Sequence, residues 1–547
     1  MKLLKKTVTS VQKTEEHDVF GDGRYTLILT GHDEDTPLAA EYPAEEGLIE
    51  VSAVFPFAFE EDDIFFLNGY QSWTYSPERT RKQFDDSLRY CPKALDKKFG
   101  FSQYGDGYFS DAVYRRDLRS GYKKGYSYAY VRRGETFFLF ASLAEDTGFT
   151  RIEMLPDESV VRFKKDCHHR RLAEGEEYTA LDLIFLKGSE DFVFGRWFAE
   201  MGVAPMATEP KTGYTSWYNC YQDISEAQIL KDLEGMKTLP VKPDIFQIDD
   251  GFETFVGDWL SVDPVKFPNG LGPIAEKIKE EGYQPGIWLA PFVCEMNSAL
   301  LEAHPEWLQY RDDKPVFTGA NWSGGYALDP YNEEVRDYVR RCIGHYKDMG
   351  FTLFKLDFLY AACMTSRPDK TRGEIMADAM EFLREVCGDA QILACGVPLA
   401  SAFGRVEYCR IGPDMSLSYN DKLFMRLFHN ERPSTMHTQR NTLYRRQLDK
   451  RAFLNDPDVF LLREGNTSLS AGQKETLAMV NALFGSVLFA SDDFAEYDEE
   501  KKELYARLTR LQHAKQVKTT VEHLGRKHLV TVSYLLDDCE ERLELEL

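Results

Sequence analysis

The sequence predicts a multidomain protein of mixed α/β and β class, with a central (β/α)8 TIM barrel between an N-terminal β-sandwich and a small C-terminal β-domain. Three observations predict it. Over roughly the first 195 residues, short runs rich in β-branched and aromatic residues recur between turn clusters, and helical periodicity is scarce. From about residue 211, apolar strands alternate with helical segments. Three of those strands end in carboxylates: Phe246-Gln247-Ile248-Asp249-Asp250-Gly251, Phe354-Lys355-Leu356-Asp357-Phe358 and Tyr408-Cys409-Arg410-Ile411-Gly412-Pro413-Asp414. Strand ends carrying charge on a strand–helix repeat are where a barrel enzyme keeps its chemistry.

The N-terminal domain, residues 1–200, rests on runs such as Tyr25–Thr30, Phe137–Ala141 and Val160–Phe163. Gly21-Asp22-Gly23 and Arg133-Gly134-Glu135 read as turns between strands of a large antiparallel sandwich. A linker follows, from Gly202-Val203-Ala204-Pro205 to Pro210-Lys211. The barrel, residues 211–513, has strands predicted at Gly213–Trp217, Asp244–Asp249, Gln284–Ala290, Phe351–Phe358, Gln391–Val397, Glu407–Ile411, Val459–Leu462 and Ser486–Ala490. Helices are predicted at Ser225–Lys237, Gly272–Glu281, Glu333–Met349, Gly373–Cys387, Gln473–Phe484 and Glu499–Gln512. Val293–Thr318 and Ser416–Asn441 read as loops over the barrel mouth. A doubly wound sheet would want a Gly-rich phosphate loop after its first strand, and Gly213-Tyr214-Thr215-Ser216-Trp217 offers none. The tail, residues 514–547, reads as a few strands, Leu529–Leu536 the clearest.

Composition narrows the function. Over 547 residues the formal net charge is -24, which argues against nucleic acid and anionic membrane surfaces. No run approaches the roughly 20 apolar residues of a spanning helix, and the first residues carry no signal-peptide pattern. The ten cysteines are scattered with no Cys-x-x-Cys pair, so reduced thiols in a cytoplasmic protein are expected.

Asp357 and Asp414 lie 57 residues apart in sequence, yet the ends of two barrel strands face one mouth. Two opposed carboxyl groups are what glycoside hydrolysis requires. One attacks the anomeric carbon and the other protonates the leaving oxygen; a separation of about 5–5.5 Å goes with retention. Asp357, inside an apolar strand, suits a fixed nucleophile. Asp414, after the turn Gly412-Pro413, suits an acid at the rim. The plainer alternatives are an ion pair of Asp357 with Lys355, which shares its face of the strand, and a turn role for Asp414. Lys355 also has a functional reading, as a cation that keeps Asp357 ionised. Asp249 and Asp250 could hold a hard cation, but with only Glu253 nearby they are read as acceptors for sugar hydroxyls. Gly251 would let both reach a ligand. Trp217, Trp288 and Trp73 are candidate sugar platforms, and Arg410 a forked donor to a hydroxyl or a carboxylate. The run Cys167-His168-His169-Arg170-Arg171 lacks a second ligand cluster and is read as part of the sandwich.

Five motifs in order, Asp249-Asp250-Gly251-Phe252, Gly286-Ile287-Trp288-Leu289-Ala290-Pro291, Leu328-Asp329-Pro330, Lys355-Leu356-Asp357 and Arg410-Ile411-Gly412-Pro413-Asp414, resemble the melibiase-type α-galactosidases of glycoside hydrolase family 36, in a short bacterial form. The resemblance implies an N-terminal β-supersandwich, no metal and no organic cofactor. It implies Asp357 as nucleophile and Asp414 as acid/base. It also implies Asp249 and Asp250 at the O4 and O6 side of the sugar, Lys355 and Arg410 at ring hydroxyls, and Trp288 in the pocket wall. Cys395 and Gly396 would lie near O2, and Trp73, in Gly69-Tyr70-Gln71-Ser72-Trp73, would be lent by the N-terminal domain. Where many members read Gly-Trp and Lys-Trp-Asp, this chain has Gly251-Phe252 and Lys355-Leu356-Asp357. The expected activity is retaining exo-hydrolysis of terminal α-galactose from oligosaccharides such as melibiose and raffinose. α-N-Acetylgalactosamine is the related alternative, disfavoured where Cys395 and Arg410 would crowd an acetamide. A non-catalytic carbohydrate-binding protein is the alternative of another class. Oligomeric state is left open, a homo-oligomer included.

Overall fold

Two antiparallel sheets face each other in the N-terminal region of the computed structural model, which describes residues 2–12, 38–41, 47–81, 83, 123–173, 176–422, 425, 432–525 and 527–547. One sheet runs in the order Lys2–Gln12, Glu177–Gly188, Thr136–Ser142, Tyr128–Arg133, Ile64–Leu67, Arg79–Thr80; the other runs Leu38–Glu41, Leu48–Pro56, Val160–Arg170, Thr150–Leu155, Lys123–Tyr126. Alternation along the strands sends Val51, Phe55, Phe65, Phe140, Ile152, Phe163 and Phe185 into the space between them. There Phe55 meets Phe163 and Phe185 edge-to-face. The predicted run Tyr25–Thr30 and the turn Gly21–Gly23 lie outside the described residues. His168 and His169 sit in left-handed backbone, at a register break near the end of the strand Val160–Arg170, and Cys167 beside them is buried.

The barrel strands are β1 (Lys211–Thr215), β2 (Ile245–Ile248), β3 (Gln284–Leu289), β4 (Leu353–Leu356), β5 (Gln391–Ala394), β6 (Tyr408–Arg410), β7 (Leu454–Asp456, resumed at Val459–Phe460) and β8 (Val487–Ala490). All neighbouring pairs are parallel. The first half of β7 pairs with β6 and the second half with β8, so the sheet closes on itself across Pro457-Asp458. The strands are almost wholly buried, as a parallel sheet covered on both sides requires. Around it lie α1 (Glu226–Met236), α2 (Gly272–Glu280), α3 (Glu333–Asp348), α4 (Arg372–Cys387), α5 (Thr435–Tyr444), α6 (Ala471–Phe484) and α7 (Glu499–Leu511). Their starts follow cap chemistry: Asn332 accepts the Glu334 N–H, and Thr371 with Glu374 and Ser470 with Gln473 form capping boxes.

Three expectations are corrected. The first strand ends at Thr215, so Trp217 opens a short helix, Trp217–Cys220, instead of sitting on the strand. The seventh strand begins at Leu454, earlier than predicted. The stretch read as the loop Ser416–Asn441 contains the start of α5. Nine of that helix's ten residues are buried, polar ones included, so it has no amphipathic period to betray it. The tail forms a three-stranded antiparallel sheet, Lys515–Leu524, Lys527–Leu536 and Cys539–Glu546. No helix among the described residues is long and apolar enough to cross a membrane.

Candidate active site

Asp357 is the first residue beyond β4. Its N–H donates to the Leu289 carbonyl at 2.8 Å, extending the β3–β4 ladder by one step. The next residue, Phe358, has φ +53°, an uncommon conformation for a bulky side chain. That turn brings the Phe358 N–H back onto Asp357 Oδ1 at 2.8 Å, while Trp288 Nε1–H donates to Oδ2 at 3.0 Å. The carboxylate is thus fixed by two donors from β3 and its own turn.

Lys355, two residues earlier, pairs across the barrel with Asp249 at 2.7 Å rather than with Asp357. The Asp249 charge raises the lysine pKa against the burial that would lower it. Asp249 also accepts from Gln247 Nε2 at 2.7 Å and Thr215 Oγ1 at 3.1 Å. Asp250 faces a different set of donors: Trp322 Nε1–H at 2.8 Å and Gln222 Nε2 at 3.3 Å. Gly251 makes the two directions compatible. Its φ is +114°, and a Cβ there would lie 2.7 Å from the Gln222 Cα.

Asp414 lies past β6, and Arg410 organises its surroundings. The guanidinium reaches Asp414 at 2.9 Å, Asp458 at 2.9 Å and Asp456 at 3.4 Å, the last two on or beside β7. The Asp414 side chain is 39% exposed toward the cavity, unlike the buried Asp456 and Asp458. Loss of hydration inside the cavity, reinforced by the carboxylates of Asp458 and Asp357, pushes the Asp414 pKa up to about 7 against the pull of Arg410 and Lys355.

These side chains meet in a cavity of about 190 Å3 lined by Trp73, Trp217, Gln222, Asp249, Asp250, Trp288, Asn321, Trp322, Lys355, Asp357, Phe358, Tyr360 and Asp414. A larger cavity, about 590 Å3, lies beside the starts of β7 and β8, where the sandwich and the tail sheet meet the barrel. The smaller one carries the strand-end carboxylates and is the candidate site. Trp73 enters from the N-terminal domain, its Nε1–H donating to Cys395 Sγ at 3.2 Å. Cys395, Gly396 and Arg410 stand behind this lining rather than in it, so the crowding argument against an acetamide loses its basis.

Five lining residues were not anticipated from sequence: Gln222, Asn321, Trp322, Phe358 and Tyr360. Each sits on a loop or short turn after a strand. Trp322, at φ +56°, carried the one usable signal, a tryptophan between Asn321 and Ser323-Gly324-Gly325. Among the described residues no group of three or more His, Cys, Asp or Glu side chains is arranged to hold a metal ion.

Residues 213–360 match the family model described as Melibiase. An α-galactosidase of Pediococcus pentosaceus, Alpha-galactosidase 2, is 32% identical over 141 residues, which is 25% of this chain and 19% of the relative. The alignment thus spans about a fifth of that relative's length. The solved α-galactosidase of Thermus thermophilus, in complex with p-nitrophenyl α-D-galactopyranoside, is similar over 92% of this chain and 96% of its own. Its TM-score is 0.69 at 26% identity. The α-galactosidase AgaA of Geobacillus stearothermophilus shares the fold, with a TM-score of 0.58 over 89% of this chain and 68% of its own, at 13% identity.

Proposed function

We propose that this chain is a member of the melibiase-type α-galactosidases of glycoside hydrolase family 36 and a retaining exo-α-galactosidase that releases terminal α-linked galactose from small oligosaccharides such as melibiose and raffinose. The observation that carries the reading is the pairing, in one small cavity, of a carboxylate held by two donors, Asp357, with a carboxyl that keeps its proton near neutral pH, Asp414. The relatives named above are α-galactosidases, and the Thermus enzyme has been solved with stachyose as well as with the aryl galactoside.

The cavity volume is below the roughly 300–1,000 Å3 of sites for drug-sized ligands, which suits one sugar ring and hence attack at a chain end. The indoles of Trp73, Trp217 and Trp288 offer apolar faces to the ring. Asp249, Asp250 and Lys355 offer acceptors and a donor to its hydroxyls. Asp357 attacks the anomeric carbon while Asp414 gives its proton to the departing oxygen, leaving a glycosyl–Asp357 ester. Asp414, now ionised, removes a proton from water as it attacks the same carbon, and the β-then-α double displacement returns the original configuration.

The test is the initial rate on p-nitrophenyl α-galactopyranoside, with the α-N-acetylgalactosaminide in parallel. Turnover of the first alone supports the reading. Turnover of the second alone reassigns the sugar, and binding without turnover of either makes the chain a carbohydrate-binding protein. Asp357→Gly should lower turnover by at least about 10^4-fold, with partial recovery in azide and formation of a galactosyl azide. Near-normal turnover of this variant without azide would remove Asp357 from the nucleophile role.

A further inference from the structure

Beside the sugar-facing Asp250 is a second buried carboxyl group that the hydrolytic scheme does not use. Glu253 is 6% exposed and lies in the turn after β2; its Oε2 accepts the Gly251 N–H at 3.3 Å. Its carboxyl is in hydrogen-bond contact with that of Asp250. Among the described residues neither group makes an ion pair. The ammonium of Lys266, packed against this turn, donates to the carbonyls of Gln222 and Gly251 at 2.7 and 3.0 Å. Tyr346, near Glu253, donates to the Trp259 carbonyl at 2.6 Å, and the charge adjoining Asp250 is another carboxylate, Asp249.

Two ionised carboxylates cannot touch in a buried place without a cation between them, so a proton must lie in the contact. Of the two, Asp250 already accepts from Trp322 and Gln222, which favours its ionised form. Glu253 accepts only from backbone N–H groups of its own turn, Gly251 at 3.3 Å and its own, and no side-chain donor reaches it among the described residues. We propose that Glu253 is a positioning residue of the sugar site: as a neutral carboxylic acid it donates a hydrogen bond to Asp250 and fixes the direction in which Asp250 presents its oxygens to the cavity. Burial and the Asp250 charge both raise the Glu253 pKa well above the ordinary glutamate range, in the same direction. Trp322, Gln222 and Glu253 then surround Asp250 with three donors, leaving its free lone pairs for the substrate. Glu253 itself stays outside the cavity lining and touches no substrate.

The inference rests on Asp250 binding the sugar, and the experiment separates the two. Glu253→Gln keeps both contacts, since an amide donates through nitrogen and accepts through oxygen. Glu253→Ala removes them. On p-nitrophenyl α-galactopyranoside, Glu253→Gln should stay within about threefold of the parent, while Glu253→Ala should raise KM by about tenfold or more with a smaller change in kcat. Infrared difference spectra of parent against Glu253→Gln, at about pH 8.5 where Asp414 has ionised, should show a protonated-carboxyl C=O band that belongs to the parent. Equal damage from Gln and Ala, an unaffected Ala variant, or a missing band would overturn the proposal. If Glu253→Ala does not fold, the Gln variant and the band still decide it. If the parent turns over no α-galactoside, the proposed activity falls, while the band still reports on the Glu253 proton.

Discussion

In the proposed mechanism, the surroundings of one residue, Asp414, bear on both activity and stability. An acid that must give a proton at neutral pH needs a pKa near 7, far above that of a free aspartate. Loss of hydration and two neighbouring carboxylates raise it to about 7, and Arg410 keeps it from rising further. The rate kcat/KM should therefore fall as pH rises through about 7, because the free enzyme loses the proton it must donate. Asp414→Ala should lower turnover of poor leaving groups by roughly 10^2–10^4-fold while sparing activated aryl galactosides; equal losses on both would remove Asp414 from the acid role. The same raised pKa has a thermodynamic sign. The folded state holds this proton more tightly than the unfolded chain, so stability falls as pH rises from about 4 to about 7 and the penalty is complete above that. Asp414→Asn should thus gain more Tm at pH 8 than at pH 4. A gain that is equal at both pH values would show that the carboxyl is not perturbed in the folded protein.

At the level of elements, the loop Gly69–Trp73 and the end of β5 form one unit. Ser72 N–H donates to the Val397 carbonyl at 2.9 Å, and Trp73 Nε1–H to Cys395 Sγ. Gly396 lies beneath: at φ +60°, a Cβ would stand 3.0 Å from Trp73 Cζ2 and 3.1 Å from the Phe358 backbone. Gly396→Ala should cost about 1–2 kcal/mol from the backbone alone. It should also push Trp73 out of the cavity wall and raise KM; a lower Tm with an unchanged KM would mean that the indole is not part of the sugar site. The strand-end charges in and around the candidate site were legible in sequence because Asp249, Lys355, Asp357 and Arg410 interrupt apolar strands, where a charge is conspicuous. Sequence did not reveal which of them pair. Lys355 chooses Asp249, on a strand separated from its own by β3, and Arg410 chooses Asp456 and Asp458, whose strand is divided by Pro457. Such choices depend on barrel closure, which no local pattern encodes. Trp322 and Gln222 reach the cavity from irregular turns and α5 is polar yet buried, so neither carries a period to read.

Across the whole molecule, the N-terminal domain is joined to the barrel by a buried cation with no ion-pair partner among the described residues. Arg445, at the end of α5, donates to Asn68 Oδ1, the carbonyls of Gln71, Ser72 and Ile411, and Ser76 Oγ, at 2.6–3.3 Å. Without a nearby carboxylate, burial lowers its pKa to about 10, yet at neutral pH it stays charged and every bond it makes is charge-assisted. Four of its five acceptors lie in the segment that carries Trp73, so the arginine sets where the sandwich places that indole. Asn441 on the same helix adds contacts to Ser76 N–H and the Thr74 carbonyl. Arg445→Met should leave those carbonyls buried and unpaired, at a cost of about 3 kcal/mol or more, and should raise KM because the Trp73 loop loses its anchor. Arg446 is the control. It is half-buried, is paired with Glu190 and touches the Leu443 carbonyl rather than the Gly69–Ser76 segment. Arg446→Met should therefore lower the urea midpoint while leaving KM near the parent value. If the two variants destabilise alike and raise KM alike, the KM effect comes from general loosening; if only Arg445→Met raises it, the N-terminal domain is a working wall of the active site rather than a passive neighbour.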